Sequence, residues 1–391
     1  MTGLPNKLDQ KLQERSAKNA LRKLQTVTKK VDFASNDYLG MAKDEMVFHG
    51  AHKLLIDRGI FQNGSTGSRL LSGNSTLYEE TEQLLAAYYK ADSALIFNSG
   101  YDANIGFFSS VPQRTDVVVF DEYIHASMRD GIRMGTAKSL KFKHNDLDDL
   151  ASVLQRVRKD SDGGTECYVV TETVFSMDGD SPDLERLIML CKEYQCKLIL
   201  DEAHAIQGVD DTIEDHSMKE FRDEVLFARI VTFGKAIGVQ GSAILGRTDL
   251  KTYLLNFARS IIYTTALPPK TIASILTAFQ SIETAEVKER KKGLKENILI
   301  FTEEVNNLKL DKFFIPSNSA IHSCIVPGNS KVKMIAAVLQ EKGFDVRPIL
   351  SPTVPLGQER LRFCLHSYNT PNEIKEVLSI LGNAIKTEIH A

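Results

Sequence analysis

The sequence predicts an α/β protein with a large domain built on a mostly parallel sheet and a smaller α+β domain. Two observations support this fold class. Short apolar segments alternate with helical segments through much of the chain, and 391 residues are more than one ordinary hydrophobic core can organise. Such alternation is typical of parallel strands that are covered by helices on both faces.

Six apolar segments have the length and composition of buried strands. We place these strands at residues 94–97, 117–120, 167–170, 197–200, 230–233 and 242–245. Between two of the strands, a predicted helix carries one apolar stripe, formed by Leu184, Leu187, Ile188 and Cys191. No apolar run approaches the ~20 residues that are needed to cross a bilayer.

Both ends of the chain are predicted to form the smaller domain. We expect residues 1–45 to be an N-terminal segment that joins this domain, and residues 46–270 to be the large domain. Residues 271–391 are then a C-terminal α+β domain, with predicted strands at 323–326 and 360–365.

Composition excludes several classes of function. The 48 basic and 51 acidic residues nearly cancel, so we expect neither nucleic acid nor an anionic membrane as a partner. Five scattered cysteines argue against a disulfide framework and show no zinc-ligand spacing, so we predict no metal site. The first residues lack the apolar core of a signal peptide, which favours a cytoplasmic location.

Polar residues follow two of the predicted strands, at the end where ligands of open α/β sheets bind. Asp201 and His204 come after the strand at 197–200, and Thr232 and Lys235 lie at the end of the strand at 230–233. A lysine that is desolvated there can react with an aldehyde cofactor, and an aspartate can keep a pyridine nitrogen protonated. Together they favour a pyridoxal 5′-phosphate site, although each residue alone is more often structural.

A candidate phosphate-binding turn follows the first of these strands. Gly100 and Tyr101 stand where a strand gives way to a helix, and a glycine lets backbone N–H groups approach an anion at the helix N-terminus. Turns of this composition are common, so this signal alone leaves a purely structural turn equally open.

Several segments, in this order, resemble the α-oxoamine synthase family of fold-type I pyridoxal phosphate enzymes. They are Asn36-Asp-Tyr-Leu-Gly40, Gly64-Ser-Thr-Gly-Ser-Arg69, Ser72-Gly73, His125-Ala-Ser127, His144-Asn-Asp146, Thr171–Gly179, Asp201-Glu-Ala-His204, Thr232-Phe-Gly-Lys235 and Pro352-Thr-Val-Pro355. The resemblance runs from about residue 20 to the C-terminus and implies the aminotransferase-like fold of that family.

The resemblance also implies a role for each matched residue. Lys235 would carry the cofactor and move the substrate Cα proton, Asp201 would pair with the pyridine nitrogen, and His125 would stack on the ring. Ser176 and His204 would lie near the ring hydroxyl. The phosphate would be held by Gly100, Tyr101 and Thr232, and by Thr264 and Thr265 reaching across a homodimer interface. Arg22, Asn36 and Arg362 are implied for substrate binding.

Within the family, two segments are most similar to the branch that condenses L-alanine with a pimeloyl thioester in biotin biosynthesis. They are Phe257–Thr265 and Thr232–Gly241. The thioester would be carried on coenzyme A or on an acyl-carrier protein, and the sequence does not decide between them. Arg22 matches an arginine that this branch places near the acyl substrate, although a surface helix residue is an equally good interpretation.

Two departures from the family pattern bear on the site. Ala205 stands where relatives have glycine after His204, so the backbone must run differently there. Leu350 stands where many relatives have an arginine that can contact a substrate carboxylate, and Arg347 lies three residues earlier. Arg362 then remains as the expected carboxylate anchor, because a planar guanidinium binds carboxylate through two hydrogen bonds.

Three alternatives remain open at this point. Another family member would use glycine or serine with a different acyl thioester. An aminotransferase on the same fold would need no thioester. A protein of this fold without catalysis would have little need for the full set of Lys235, Asp201, His125 and His204.

Overall fold

A computed structural model describes most of the chain. The described residues are 3–22, 24, 29–159, 164–210 and 223–389. None of the helices in these ranges combines the length and the apolar composition of a membrane span.

The helices and strands are numbered in chain order. The strands are β1 (Val31–Asp32), β2 (Ser93–Phe97), β3 (Val117–Asp121), β4 (Lys138–Phe142), β5 (Cys167–Glu172), β6 (Lys197–Asp201), β7 (Leu226–Thr232), β8 (Ser242–Gly246), β9 (Ile321–Ile325), β10 (Phe344–Asp345), β11 (Arg347–Ile349) and β12 (Arg360–Cys364). The helices are α1 (Asn6–Ala17), α2 (Glu45–Asp57), α3 (Thr76–Tyr88), α4 (Gly100–Ser110), α5 (Ala126–Met134), α6 (Leu147–Lys159), α7 (Leu184–Glu193), α8 (Thr248–Phe257), α9 (Arg259–Ile262), α10 (Pro269–Ser281), α11 (Ala285–Asn307), α12 (Asn329–Glu341) and α13 (Pro371–Ile389). Short 3₁₀ or π turns occur at Met41–Lys43, Arg69–Gly73 and Asp311–Phe313.

The chain divides into two compact units. The larger unit consists of residues 39–176 and 181–291, and the smaller unit of residues 1–38, 177–180 and 292–391. This division differs from the predicted boundaries after residues 45 and 270. In the larger unit α10 packs against α2 and α3, which keeps the segment after residue 270 with the large sheet. The assignment of functional domains stays a prediction.

One seven-stranded sheet organises the larger unit, in the order β2-β8-β7-β6-β5-β3-β4. The pairs from β4 to β7 are parallel, whereas β8 is antiparallel to both β7 and β2. The fold is the predicted α/β class with a mostly parallel sheet. Because β3, β5, β6 and β7 run parallel, their carboxyl ends meet at one edge of the sheet.

Alternate residues of each central strand belong to two different hydrophobic cores. On β5, Cys167 and Val169 pack in one core, whereas Tyr168 and Val170 pack in the other. Side chains on a strand point to opposite faces with a period of two, so the two cores cover the two faces of the sheet. This burial on both faces explains why these strands appear in the sequence as unbroken apolar runs.

All six strands predicted in the larger unit are present, but β4 (Lys138–Phe142) was not predicted. It pairs only with β3 at the edge of the sheet, and its sequence Lys-Ser-Leu-Lys-Phe leaves most of its side chains exposed or half-buried. Edge strands are commonly polar, because lysine there discourages pairing with another chain. The strand therefore lacked the apolar run on which the prediction relied.

The smaller unit contains two small sheets. β1 pairs with β10 in parallel, and β11, β12 and β9 form an antiparallel sheet in that order. The predicted strands at 323–326 and 360–365 correspond to β9 and β12. On the central strand β12, Arg362 lies between Arg347 of β11 and Ser323 of β9.

Candidate active site

A cavity of about 190 Å³ lies at the carboxyl ends of β5, β6 and β7 in the larger unit. Its lining brings together seven of the residues that the sequence predicted for the site: Gly100, Tyr101, His125, Asp201, His204, Thr232 and Lys235. Ser176 is not among the lining residues. The cavity is also lined by Asn104, Ser127 and Glu172, which were not predicted as site residues.

Lys235 and His204 form a close pair in this cavity. The Lys235 Nζ atom lies 2.7 Å from His204 Nε2, which is hydrogen-bonding distance. Lys235 follows β7 by three residues, and the buried Phe233 between them is held by backbone hydrogen bonds to Gly241 and Val239. The loop thus anchors the lysine at the strand end, where a nitrogen pair of this kind can share and transfer a proton.

Asp201 is a buried carboxylate that accepts hydrogen bonds at both oxygens. Its Oδ1 accepts from the backbone N–H of Ala203 at 2.9 Å, and its Oδ2 accepts from the Asn104 side-chain amide, also at 2.9 Å. Only 4 % of Asp201 is exposed. These donors are uncharged, so the negative charge of Asp201 remains available to a cationic group of a ligand in the cavity.

Glu172 lies directly beside Asp201 in the sheet register and is also buried. Burial raises the pKa of Glu172 well above its usual value, and the neighbouring charge of Asp201 raises it further. Its Oε1 accepts a hydrogen bond from the His125 backbone N–H at 2.7 Å. Glu172 therefore fixes the start of α5. Its position as the last residue of an apolar strand was the signal that could have identified it.

His125 caps the N-terminus of α5 and is one of the residues that line the cavity. Its Nδ1 lies 2.7 Å from Ser127 Oγ and 3.3 Å from the Ser127 backbone nitrogen. Burial lowers the pKa of His125, so its neutral form is favoured. A neutral aromatic ring at this point can pack against the flat face of a ligand.

The first turn of α4 offers an anion site in the cavity, which Gly100 and Tyr101 line. The helix begins at Gly100, and Ser99 caps it by accepting a hydrogen bond from the Asp102 N–H at 3.1 Å. A Cβ atom on residue 100 would lie 3.7 Å from Thr232 Cβ, so glycine keeps clear the space between the helix and Thr232. The free N–H groups of this turn, the helix dipole and the Thr232 hydroxyl fit a phosphate group.

Thr264 and Thr265 are held next to this turn rather than in the cavity lining. The Asn98 side-chain amide donates to Thr264 Oγ1 at 3.1 Å and to the Thr265 carbonyl at 2.8 Å. Asn98 directly precedes the capping residue Ser99, so this hydrogen-bonded contact ties the threonine segment to the phosphate-binding turn.

The donor set of the cavity fits pyridoxal 5′-phosphate. It combines an anion-binding helix end, a lysine amine, a buried carboxylate and an imidazole ring, which match a phosphate, an aldehyde, a pyridine nitrogen and an aromatic face.

Arg362 and Asn36 lie together in the smaller unit. Arg362 Nη2 donates to Asn36 Oδ1 at 3.0 Å, and the Tyr38 hydroxyl donates to the same oxygen at 3.1 Å. Arg347 lies across from Arg362 in the sheet, but its guanidinium forms an ion pair with Asp345 at 2.7 Å. Arg347 is thus paired with a carboxylate, whereas Arg362 donates to a neutral amide.

Arg22 is exposed in the smaller unit. Its Nη2 lies 3.3 Å from Thr353 Oγ1, within the Pro352-Thr-Val-Pro355 segment.

The chain is similar to known proteins over nearly its whole length. The family model for class I and II aminotransferases matches residues 28–381. An 8-amino-7-oxononanoate synthase of Emericella nidulans is 36 % identical, over 97 % of this chain and 95 % of the relative. Among solved structures, an 8-amino-7-oxononanoate synthase from Francisella tularensis superposes with a TM-score of 0.75 at 29 % identity, covering 92 % of this chain and 99 % of that one. A Sphingomonas wittichii serine palmitoyltransferase has the same fold, with a TM-score of 0.86 at 24 % identity and 99 % coverage of both chains.

Proposed function

Because this chain belongs to the α-oxoamine synthases, within the class I and II aminotransferase family, we propose that it condenses L-alanine with a pimeloyl thioester. The products are 8-amino-7-oxononanoate, carbon dioxide and the free thiol, and the reaction is a step of biotin biosynthesis. The substrates are proposed from the relative that is 36 % identical to this chain. The chemistry is proposed because Lys235 is paired with His204 in the cavity that the buried Asp201 also lines.

Pyridoxal 5′-phosphate is the cofactor, and when bound it withdraws electrons from the bonds to the amino-acid Cα, so that the Cα–H bond becomes acidic. We assign its aldehyde to Lys235, its ring nitrogen to Asp201 and its ring face to His125. Gly100, Tyr101 and Thr232 are assigned to the phosphate. His204 and Ser176 are assigned to the ring hydroxyl, as the family resemblance implies.

Lys235 is assigned a second task, the movement of the Cα proton. An amine accepts a proton only when it is neutral. His204 Nε2, at 2.7 Å from Lys235 Nζ, is within reach to accept the surplus proton. This geometry favours proton transfer at Lys235.

Arg362 is assigned to the carboxylate of the amino acid, with Asn36 as its positioning partner. Their 3.0 Å hydrogen bond orients the guanidinium without neutralising it, because the amide oxygen of Asn36 is uncharged. Arg22 is assigned to the acyl substrate, whose distant end needs a polar partner.

We also propose a homodimer. The larger unit exposes large apolar side chains in one stretch of sequence, with Phe61 at 77 % and Leu71 at 86 % exposure, and Tyr263 at 72 % follows α9. Apolar residues this exposed are typical of an interface. Thr264 and Thr265 directly follow Tyr263, which supports their assignment to a phosphate bound by the partner subunit. The cytoplasmic location likewise stays a prediction.

Product analysis tests the proposed reaction. The purified protein is given equal amounts of pimeloyl and palmitoyl thioesters together with alanine, glycine and serine, and the products are identified by mass. We expect 8-amino-7-oxononanoate to dominate. Discrimination between alanine and glycine is worth only about 1–3 kcal/mol for one methyl group, so some glycine product is expected as well.

The same experiment separates the alternatives. Predominant condensation of serine with palmitoyl thioester would assign the chain to a sister activity of the family. Transfer of the amino group to a keto acid that is added to the same mixture, with no carbon dioxide released and no thioester consumed, would indicate an aminotransferase. Either result would contradict the proposed substrates and leave the assignment of the cofactor intact.

A further inference from the structure

Asn104 is a buried polar residue whose side chain is incompletely satisfied. Only 2 % of the residue is exposed, and its Oδ1 has no hydrogen-bond partner among the described residues. An unpaired buried polar atom costs on the order of 1–3 kcal/mol. An apolar residue on this inner face of α4 would avoid that cost, so the amide is poorly explained by stability alone.

The two hydrogen bonds that Asn104 does make leave no ambiguity about its orientation. Its Nδ2 lies 2.9 Å from Asp201 Oδ2 and 3.0 Å from Ser127 Oγ. An ionised carboxylate only accepts hydrogen bonds, so the atom facing Asp201 must be the NH₂ group. The second N–H of that group then donates to Ser127 Oγ.

This arrangement determines where the Ser127 proton goes. A hydroxyl has a single proton, and Ser127 Oγ already accepts a hydrogen bond from Asn104. Its remaining neighbour is His125 Nδ1 at 2.7 Å, so Ser127 donates its O–H to that nitrogen. The Ser127 backbone N–H points at the same nitrogen from 3.3 Å.

We propose that Asn104 is a positioning residue that sets the tautomer of His125 through Ser127 and holds Asp201 with the same amide group. Two donors aimed at Nδ1 require that nitrogen to be unprotonated, so the proton of the neutral ring is on Nε2. His125 therefore presents an N–H donor, and not an acceptor, from Nε2. The inference deepens the proposed function, since it specifies which ring atom can donate to the reactants.

The charges around His125 agree with a neutral ring. Burial lowers its pKa, and the positive charges of Lys235 and Arg129 act in the same direction. The negative charges of Asp201 and Asp130 oppose them. The carboxyl of Glu172, which accepts the His125 backbone N–H, has a raised pKa and so tends to be uncharged. In a neutral histidine the tautomer is set by the hydrogen bond at the other nitrogen.

The test is nitrogen NMR on the full chain with its cofactor bound, with ¹⁵N supplied only in histidine. The chain has nine histidines, so a His125→Gln variant identifies the ring signals of His125 by their loss. In the wild type we expect a protonated Nε2 and an unprotonated Nδ1. A ring protonated on Nδ1 would overturn the proposal without reference to any substrate, so this result stays separate from a failure of the proposed reaction.

Asn104→Asp should reverse the hydrogen bonds that run from residue 104 to Ser127 and from Ser127 to His125, with almost no change in shape. If the new carboxyl is protonated, the oxygen in the place of Nδ2 donates its one proton to Asp201 and can only accept from Ser127. If it is ionised, both oxygens only accept. In either state Ser127 must donate to residue 104, and His125 Nδ1 must then donate to Ser127, so the two ring nitrogens exchange their roles. An unchanged His125 tautomer in this variant would overturn the role of Asn104.

A second variant and its control test the proposal if Asn104→Asp does not fold. Ser127→Ala removes the O–H donor, so the Nδ1 signal should shift toward that of an imidazole nitrogen without a hydrogen bond. An unshifted signal would contradict the proposed hydrogen bond from the Ser127 hydroxyl to His125 Nδ1. Ser109→Ala is the matched control, because Ser109 is also on α4 but its hydroxyl donates to the Ile105 carbonyl of the same helix. Its His125 signals should equal those of the wild type.

Discussion

Asp201 and Glu202 are consecutive buried acids at the end of β6, and they have different kinds of partner. Glu202 forms a two-point ion pair with Arg229, with distances of 2.7 and 2.6 Å, and both side chains are less than a tenth exposed. Asp201 accepts hydrogen bonds from the Asn104 amide and the Ala203 backbone. The charge of Glu202 is thus neutralised within the protein, whereas that of Asp201 is oriented by neutral donors beside the cavity.

Two arginines on β12 repeat this difference in the smaller unit. Arg360 is fully buried and forms an ion pair with Asp178, and its Nε donates to the Gln358 carbonyl at 2.9 Å. Arg362, two residues on, donates to the neutral oxygen of Asn36. In both units, a buried charge that is paired with an opposite charge supports the fold. A neutral partner such as Asn104 or Asn36 orients a buried charge and does not itself neutralise it.

Lys235→Ala should give the largest catalytic effect with little loss of stability. The change removes the group assigned to the cofactor aldehyde and to the Cα proton, so turnover should fall on the order of 10³-fold or more. The yellow absorbance of lysine-bound cofactor should disappear, while the denaturation midpoint stays close to that of the wild type.

Lys288→Ala is the control for this change, because Lys288 is exposed and pairs with Glu283 on the surface. Its absorbance and turnover should be those of the wild type. A Lys235→Ala protein that keeps both properties would remove Lys235 from the proposed chemistry.

Glu202→Gln should show the opposite pattern, with a large loss of stability. The Arg229 guanidinium would remain buried without its counter-charge, which costs about 3–5 kcal/mol. Urea denaturation measures this loss, and turnover per folded molecule should change little. Glu80→Gln is the matched control, because Glu80 and Arg58 form a 2.6 Å ion pair that is exposed, and it should cost at most about 1 kcal/mol. Equal losses in the two variants would contradict the assignment of Glu202 to the fold.

Asp201→Asn should reduce the rate of α-proton exchange more than it reduces the stability of the fold. Asparagine lacks the charge that keeps a pyridine nitrogen protonated, so exchange of the alanine α-proton with deuterated water should slow about 100-fold. The loss of stability should stay near 1–2 kcal/mol, since only one donor is left unpaired. Exchange at the wild-type rate would exclude Asp201 from the proposed role. It would indicate that Asp201 supports the fold, as Glu202 does.

Arg362→Ala should give an effect that is selective for one substrate. Loss of a charge-assisted contact costs about 2–3 kcal/mol, so the apparent KM for alanine (the alanine constant) should rise roughly 30- to 150-fold. The KM for the thioester should change less. Arg360→Ala should instead lower the free energy of unfolding and leave the alanine constant nearly unchanged. If Arg347→Ala raises the alanine constant more than Arg362→Ala does, Arg347 has the role proposed here for Arg362.

Much of this protein can be predicted from its sequence, for local physical reasons. The six strands of the large sheet were visible because strands covered on both faces are continuously apolar. The stripe of α7 was visible because a buried helix face recurs every three to four residues, and Leu184, Leu187, Ile188 and Cys191 are all buried. Strand-end polar residues such as Asp201 and Lys235 were suspected because parallel strands end at one edge, and the cavity does bring them together.

Only the tertiary structure decided how each of these charges is paired. Asp201 and Glu202 are adjacent in one motif, and the sequence contains no sign that Glu202 pairs with Arg229, 27 positions away. Asn104 and Ser127 were overlooked because their hydrogen bonds join three separate segments of the chain, at residues 104, 127 and 201. Local pattern records which faces are buried. The partner of a buried polar group depends on which segments the fold brings within 3 Å, and no local pattern encodes that distance.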